Sequence, residues 1–119
     1  MPHPYIKRLF TNTVKKVQEE YGVREMGQQL EDSPVAHDVF TDRECVFIEA
    51  RDSFYMATVN SDGWPYVQHR GGPIGFLRVI DEKTIAFPDF RGNDQYISVG
   101  NLRSTDKISM ILMDYPNRR

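Results

Sequence analysis

The residues Phe54 to Val59 read FYMATV, the next four read Asn60-Ser61-Asp62-Gly63, and Trp64 to Gln68 read WPYVQ. Both outer stretches are rich in the aromatic and β-branched residues that favour strands. An Asp-Gly turn between two such stretches is a strong signal for a tight hairpin. We therefore predict a β-hairpin here, with the chain changing near Arg51 from a polar, helical part to a strand-rich part.

The sequence after this hairpin continues in short strands. We predict a second hairpin at Phe76 to Phe87, a short helix at Gln95 to Leu102 and a last strand at Lys107 to Tyr115. The centre of the last strand, Ile108 to Met113, is almost continuously apolar, which predicts that both of its faces are covered. About five short strands joined by tight turns indicate a barrel or a sandwich.

The first part of the chain is expected to be mostly helical. One helix is predicted by apolar residues at three- and four-residue intervals, namely Leu9, Phe10, Val14, Val17 and Tyr21. Thr11 is the expected N-cap and Gly22 the expected end of this helix. The stretch Met26 to Asp38 has no clear period and is interpreted as a surface loop. Thr41 and Glu44 form a capping-box pattern that predicts a helix from Asp42 to about Arg51.

Composition limits the classes of function. The chain carries 15 basic and 17 acidic residues in 119, a net charge of -2, which gives no uniform basic field for nucleic acid. It has no apolar run of the roughly 18 residues needed to cross a membrane. The single cysteine, Cys45, cannot form an intrachain disulfide, which agrees with a reducing compartment. We expect one cytoplasmic domain, with residues 1–40 as a helical extension of a core at residues 41–119.

The first candidate site is the stretch Gln68-His69-Arg70-Gly71-Gly72-Pro73 at the end of a predicted strand. Glycine pairs allow a ligand to approach the backbone closely, and an arginine fork matches phosphate oxygens. The alternative is a β-bulge at a barrel corner beside a solvated arginine. His69 should point away from Arg70, because side chains alternate along a strand.

The second candidate site is the loop Phe87-Pro88-Asp89-Phe90-Arg91-Gly92-Asn93-Asp94, where a strand leads into a helix. Free amides at a helix start favour an anion, and Arg91 and Asn93 add donors. Asn93 or Asp94 could instead serve simply as the helix N-cap. Asp89 argues against a bare anion site unless its carboxylate binds a sugar-like hydroxyl.

The sequence does not indicate a hydrolase or a metal centre. The three histidines, His3, His37 and His69, are far apart and form no His-x-x-x-His pair. No serine lies in a Gly-x-Ser-x-Gly elbow. Cys45 lies in the predicted core stripe of a helix, where a thiol is usually inert. We therefore predict no metal and assign no catalytic acid or base.

Several linked blocks resemble the FMN-binding proteins of the pyridoxamine 5′-phosphate oxidase-like family. The blocks are Asp52 to Val59, Asp62 to Val67, His69 to Leu77, Phe87 to Asn93 and Ser98 to Leu102. Their order and spacing follow the family over roughly residues 40 to 115. The resemblance implies a mainly β fold with flanking helices: a split β-barrel with N-terminal helices and one short helix before the last strand. It also implies a homodimer in which the subunits share an FMN groove.

The resemblance also implies roles for particular residues. Arg70 would contact the phosphate or the ring edge, with Gly71, Gly72 and Pro73 bordering the flavin. The ribityl side would be lined by Phe87, Pro88 and Asp89, and the phosphate would be held by Arg91, Gly92 and Asn93. Asn101 is a further implied contact. The family's usual activity would make the protein a flavin-dependent oxidoreductase with a small-molecule substrate that the sequence does not identify.

The chain also departs from the family pattern. Family members usually continue into another strand near the position of Arg118-Arg119, so we expect a core that lacks C-terminal strands. A barrel edge left open in this way is normally covered or paired, so either the chain is truncated or the dimer covers the edge. Two alternatives to a flavin enzyme stay open. One is a non-catalytic split-barrel protein that binds flavin, deazaflavin or haem, and the other is a cofactor-free structural dimer.

Overall fold

A computed structural model describes residues 4–33, 38–89 and 95–119 of the chain. The chain divides into two compact units, Met1–Phe40 and Thr41–Arg119. The first unit contains the helices α1 (Pro4–Leu9), α2 (Asn12–Glu20) and α3 (Arg24–Glu31). The second contains α4 (Asp42–Glu49), β1 (Ser53–Val59), β2 (Pro65–Gly71), β3 (Arg78–Asp81), β4 (Thr84–Ala86), α5 (Ile97–Ser104) and β5 (Ser109–Ile111).

Helix α2 starts and stops where the sequence predicts. The hydroxyl of Thr11 accepts a hydrogen bond from the backbone N–H of Val14 at 3.3 Å, as an N-cap does. After the helix, Gly22 has a φ of 72°, a left-handed conformation that costs glycine little. The predicted cap and the predicted terminating glycine are both confirmed.

The prediction of a surface loop from Met26 to Asp38 is wrong as far as Glu31, where α3 ends, and residues 34–37 of that stretch lie outside the described residues. The guanidinium of Arg24 donates to Gln28 at 3.1 Å and to Glu31, which lie four and seven residues further along the helix. It also donates to Gln18 of α2 at 2.8 Å. The helical period is therefore carried by polar residues, and a search for apolar periodicity misses it. The hydrogen bond from Arg24 holds the pKa of the buried Glu31 carboxyl below its usual value.

Helix α4 begins with the predicted capping box. The hydroxyl of Thr41 is bonded to Glu44, whose carboxylate also accepts from the Thr41 backbone N–H at 3.1 Å. Of the apolar residues that follow, Ile48 is buried, whereas Val46 is exposed. The helix therefore directs one side toward the core of the second unit.

Strand β1 lies in the middle of a three-stranded antiparallel sheet with the order β2-β1-β5. It pairs with β2 in continuous register from Ser53 opposite Gly71 to Val59 opposite Pro65. Alternate residues of β1, namely Phe54, Met56 and Thr58, are at most 1% exposed and form the buried face. The predicted hairpin is confirmed, and its alternation sets which side chains point inward.

The second predicted hairpin is present as strands β3 and β4, which form a separate two-stranded antiparallel sheet. Before β3, the N–H of Phe76 donates to the carbonyl of Pro73 at 2.9 Å and closes a tight turn. Gly75 occupies the positive-φ position of this turn, with a φ of 87°. The turn leads directly into Phe76 and Leu77, both buried. Among the described residues, the two sheets with their flanking helices do not close into a barrel.

Strand β5 is shorter than predicted, and the expectation that both of its faces are covered is wrong. Ile111 lies opposite Tyr55 and is 58% exposed. Strand β5 stands at one end of the sheet order, and α5 packs on the other face of β1 and β2 through Thr58 and Gln68. The outward face at β5 is therefore left open to solvent.

The last residues of the chain are held in place by contacts with Asp114. The carboxylate of the buried Asp114 accepts from the Asn117 amide at 2.8 Å and from Arg119 at 3.2 Å. It also lies 3.5 Å from the Arg51 guanidinium. The Asn117 hydrogen bond, followed by the contacts with Arg119 and Arg51, holds the pKa of Asp114 below its usual value.

Candidate functional site

Arg70 lies near the end of β2, directly opposite Phe54 of β1. Its side chain is only 16% exposed, whereas the neighbouring His69 is exposed on the outward face. The ring of His69 packs edge-on against Tyr55 with the ring centres 5.4 Å apart. The prediction that His69 and Arg70 point in opposite directions is confirmed, and it removes His69 from the surroundings of the arginine.

The guanidinium of Arg70 joins two residues that follow β4. Its Nη1 donates to Asp89 Oδ1 at 2.7 Å, and its central carbon lies 5.6 Å from the centre of the Phe87 ring. Its Nε is buried and has no hydrogen-bond partner among the described residues. The fold therefore brings Arg70 and the loop after β4 together, although they are about 20 residues apart in sequence. Within the part of the chain that the structure describes, the buried Nε is therefore a donor without an acceptor.

An aromatic cluster supports this arginine from the core side. The ring of Phe87 meets Phe54 edge-on at 4.9 Å, and Phe54 stacks with Phe76 at 5.8 Å. Phe54 is fully buried and Phe76 is 6% exposed, so the cluster is part of the core. Residue types alone did not single out Phe54 and Phe76 as part of the site. The signal that points to Phe54 is the alternation of buried and less buried side chains along β1.

The glycine pair after Arg70 is part of a regular strand end. The N–H of Gly72 donates to the carbonyl of Asp52 at 2.9 Å. A Cβ added at Gly71 would lie 3.4 Å from that same carbonyl oxygen. Because β1 and β2 pair without a register shift through Gly71, the alternative of a β-bulge here is wrong. Gly72 and Pro73 then carry the chain into the turn at Gly75.

The structure gives Asn101 a different environment. Asn101 lies in α5, is 8% exposed, and donates through Nδ2 to the hydroxyl of Thr58 at 2.9 Å. Beside this bond, the Ser98 hydroxyl donates to Gln68 Oε1 at 3.0 Å. These two bonds fix α5 on the inner face of the sheet. Arg91, Gly92 and Asn93, the other predicted phosphate contacts, lie outside the described residues.

Two tyrosines are paired on the outward face of the sheet, opposite to the face of Arg70. Tyr55 and Tyr115 share a hydroxyl–hydroxyl hydrogen bond of 3.0 Å on the outward face, and this bond raises the pKa of Tyr115.

Among the described residues, no cluster of three or more His, Cys, Asp and Glu side chains could hold a metal ion. Within the same ranges, no helix combines the length and apolar character that a membrane crossing requires.

Comparison with known protein families finds a match over the second unit. The family model described as pyridoxamine 5′-phosphate oxidase matches residues 40–119, which include the whole second unit. No curated protein and no solved structure matches the chain significantly. The matched range contains β1, β2, the loop after β4 and the Arg70 cluster that they form.

Proposed function

Because the chain belongs to the pyridoxamine 5′-phosphate oxidase family, we propose that it binds FMN and acts as a flavin-dependent oxidoreductase on a small-molecule substrate. In this proposal the second unit is the core of a split β-barrel. The family is commonly flavin-binding, and the antiparallel sheets with flanking helices agree with part of such a barrel.

One observation supports the proposal most directly: the position of Arg70. A mostly buried arginine is normally fully hydrogen-bonded, because an unpaired buried donor costs free energy. The Nε of Arg70 lacks such a partner among the described residues. A phosphate oxygen is an acceptor suited to it, since arginine binds phosphate through paired N–H groups. The residues present therefore fit a phosphorylated cofactor.

The proposed cofactor contacts follow from this anchor. Arg70 would bind the phosphate, with Arg91, Gly92 and Asn93 completing that end of the site. The backbone of Gly71, Gly72 and Pro73 would border the flavin, and Phe87, Pro88 and Asp89 would line the ribityl side. Asn101 is a further proposed contact, and its hydrogen bond to Thr58 would also hold α5 on the sheet.

When bound, FMN would supply the redox chemistry, and the chain would supply binding and orientation. Arg70 would neutralise negative charge on the phosphate, and the Phe87 ring would exclude water from one side of the guanidinium. Among the described residues we assign no general acid or base. His69, the nearest titratable imidazole in sequence, is on the opposite face of β2.

We also propose that the protein is a homodimer. Members of this family are commonly dimers. The outward face of the three-stranded sheet carries Val59, Val67 and Ile111 at 40%, 62% and 58% exposure. Apolar residues grouped on one open face are typical of a surface that a partner covers. A second copy on this face would also cover the edge at β5.

Absorption spectroscopy tests the proposed function. The purified protein, as isolated or after addition of FMN and removal of free flavin, should show a flavin spectrum. Loss of this spectrum on addition of NAD(P)H, with turnover to an acceptor, would support an oxidoreductase. A retained flavin that no donor reduces would support a non-catalytic flavin protein. A colourless protein that does not bind added FMN would contradict the proposal.

A further inference from the structure

We propose that Asp89 is a counter-ion built into the Arg70 site, and that a phosphate ligand must displace it. This inference rests on the proposed function, because it concerns the same arginine. Asp89 and Arg70 are joined through Oδ1 and Nη1 at 2.7 Å. The carboxylate thus occupies one of the donor groups that an anionic ligand would use.

The two partners differ in how firmly they are held. The Arg70 side chain is 16% exposed and contacts the Phe87 ring, so the surrounding core fixes it. The Asp89 side chain is 64% exposed and lies on the loop after β4. An exposed carboxylate can turn into solvent and be hydrated there at little cost. When an anion arrives, Asp89 is therefore the partner that moves. Its carboxylate leaves Arg70 Nη1, while the residue itself can stay along the ribityl side of the site.

The negative charge of Asp89 affects how strongly the site binds an anion. With Asp89 in place the Arg70–Asp89 pair has no net charge, so a small anion gains little from approaching Arg70. A ligand phosphate at Arg70 would also lie close to the Asp89 carboxylate, and like charges repel each other. A ligand that makes further contacts elsewhere in the site can overcome this penalty. Asp89 therefore lowers the affinity of the site for a phosphate group, whether the phosphate is free or part of a larger ligand.

The test uses two substitutions that separate the charge of Asp89 from its hydrogen bond. Asp89→Asn keeps an oxygen that can accept from Arg70 but removes the charge, and Asp89→Ala removes both. Asp106→Asn is the matched control, because it removes an exposed carboxylate of the same unit from the segment between α5 and β5. Each protein is titrated with FMN, with riboflavin, which lacks the phosphate, and with inorganic phosphate.

The counter-ion role predicts that both Asp89 variants bind FMN about fivefold more tightly, the scale of an exposed ion pair. Their affinity for inorganic phosphate should rise by a similar factor. Riboflavin affinity should stay the same, and the Asp106→Asn protein should behave like the wild type.

Other outcomes overturn the inference. Weaker binding by Asp89→Ala, with wild-type affinity in Asp89→Asn, would mean that Asp89 positions Arg70 through its hydrogen bond. Weaker FMN binding in both variants would mean that Asp89 binds a ligand hydroxyl. Unchanged FMN and phosphate affinities, or no anion bound by any protein, would also contradict it.

Failure of the proposed function gives a different pattern of results. If the wild type does not bind FMN while both Asp89 variants gain affinity for inorganic phosphate, FMN binding is refuted and the counter-ion role stands.

Discussion

The hydrogen bond between Asn101 and Thr58 is expected to contribute substantially to the stability of the second unit. The Nδ2 of Asn101 lies 2.9 Å from the Thr58 hydroxyl, and the two residues are only 8% and 1% exposed. The substitution Thr58→Val replaces the hydroxyl by a methyl group of similar size. It leaves the Asn101 amide nitrogen without this acceptor, in a place that water barely reaches.

The expected cost follows from the burial of both partners. A buried polar group deprived of its partner costs about 1–3 kcal/mol, whereas replacing both partners by apolar groups can be almost neutral. We therefore expect Thr58→Val and Asn101→Leu each to lower the free energy of unfolding by about 1–3 kcal/mol. The double variant should lose clearly less than the sum of the two single losses.

Urea denaturation of the four proteins measures this coupling. The slope of unfolding free energy against urea should stay constant, so that differences in midpoint report stability alone. Additive losses in the double variant, or a loss below about 0.5 kcal/mol for Thr58→Val, would refute the argument. Under conditions where Asn101→Leu is folded, the proposed cofactor contact predicts weaker FMN binding than in Thr58→Val. Equal FMN affinities in Asn101→Leu and the wild type would mean that Asn101 does not touch the cofactor.

Three further predictions of stability concern a buried leucine, a glycine with a positive φ and a charged aspartate. Leu77→Ala should lower the free energy of unfolding by about 2–5 kcal/mol in urea denaturation, because Leu77 is fully buried. Gly75→Ala should lower the free energy of unfolding by about 1–2 kcal/mol, because Gly75 has a φ of 87°. The helical control Gly100→Ala, with no atom within 4 Å of an added Cβ, should stabilise the protein slightly. Equal effects of the two substitutions would contradict this reasoning. Asp114 has a lowered folded pKa, so its stabilisation is present above the unfolded value of about 3.9 and is lost as pH falls through the folded pKa. The difference in urea midpoint between wild type and Asp114→Asn should therefore shrink from about pH 7 to about pH 2, and a constant difference would argue against it.

The parts of the fold that were predictable are those with local signals. The hairpin of β1 and β2 follows from two β-favouring stretches around Asp62-Gly63, and its pairing is regular. The N-cap at Thr11 and the capping box at Thr41 each depend on hydrogen bonds between residues three positions apart. Such features are set by neighbouring residues and need no knowledge of the tertiary structure.

The features that were missed depend on contacts over longer distances. Helix α3 is organised by Arg24, whose partners include a residue of another helix, so its polar face has no apolar signature. The end of the chain is held by Asp114. This residue also contacts Arg51, which lies just after α4 and 63 residues earlier in the sequence. An apolar stretch such as Ile108 to Met113 does not reveal that the strand stands at an edge.

The candidate site was predictable only in part. The two stretches around Arg70 and Phe87 were identified as separate candidates, and the structure brings Arg70, Phe87 and Asp89 together. The ion pair itself could not be predicted, because it depends on how the loop after β4 returns to the end of β2. The aromatic support from Phe54 and Phe76 likewise appears only when the strands are packed.

The most direct test of the central claim compares FMN with riboflavin in an Arg70→Met variant. Methionine keeps much of the apolar stem of the side chain but removes the charged donors. Loss of a charge-assisted hydrogen bond, worth about 1.5–3 kcal/mol, should weaken FMN binding by about 10- to 150-fold. Riboflavin binding should not change, and the exposed Arg43→Met control should bind FMN like the wild type. Equal FMN affinities in Arg70→Met and the wild type would contradict the account.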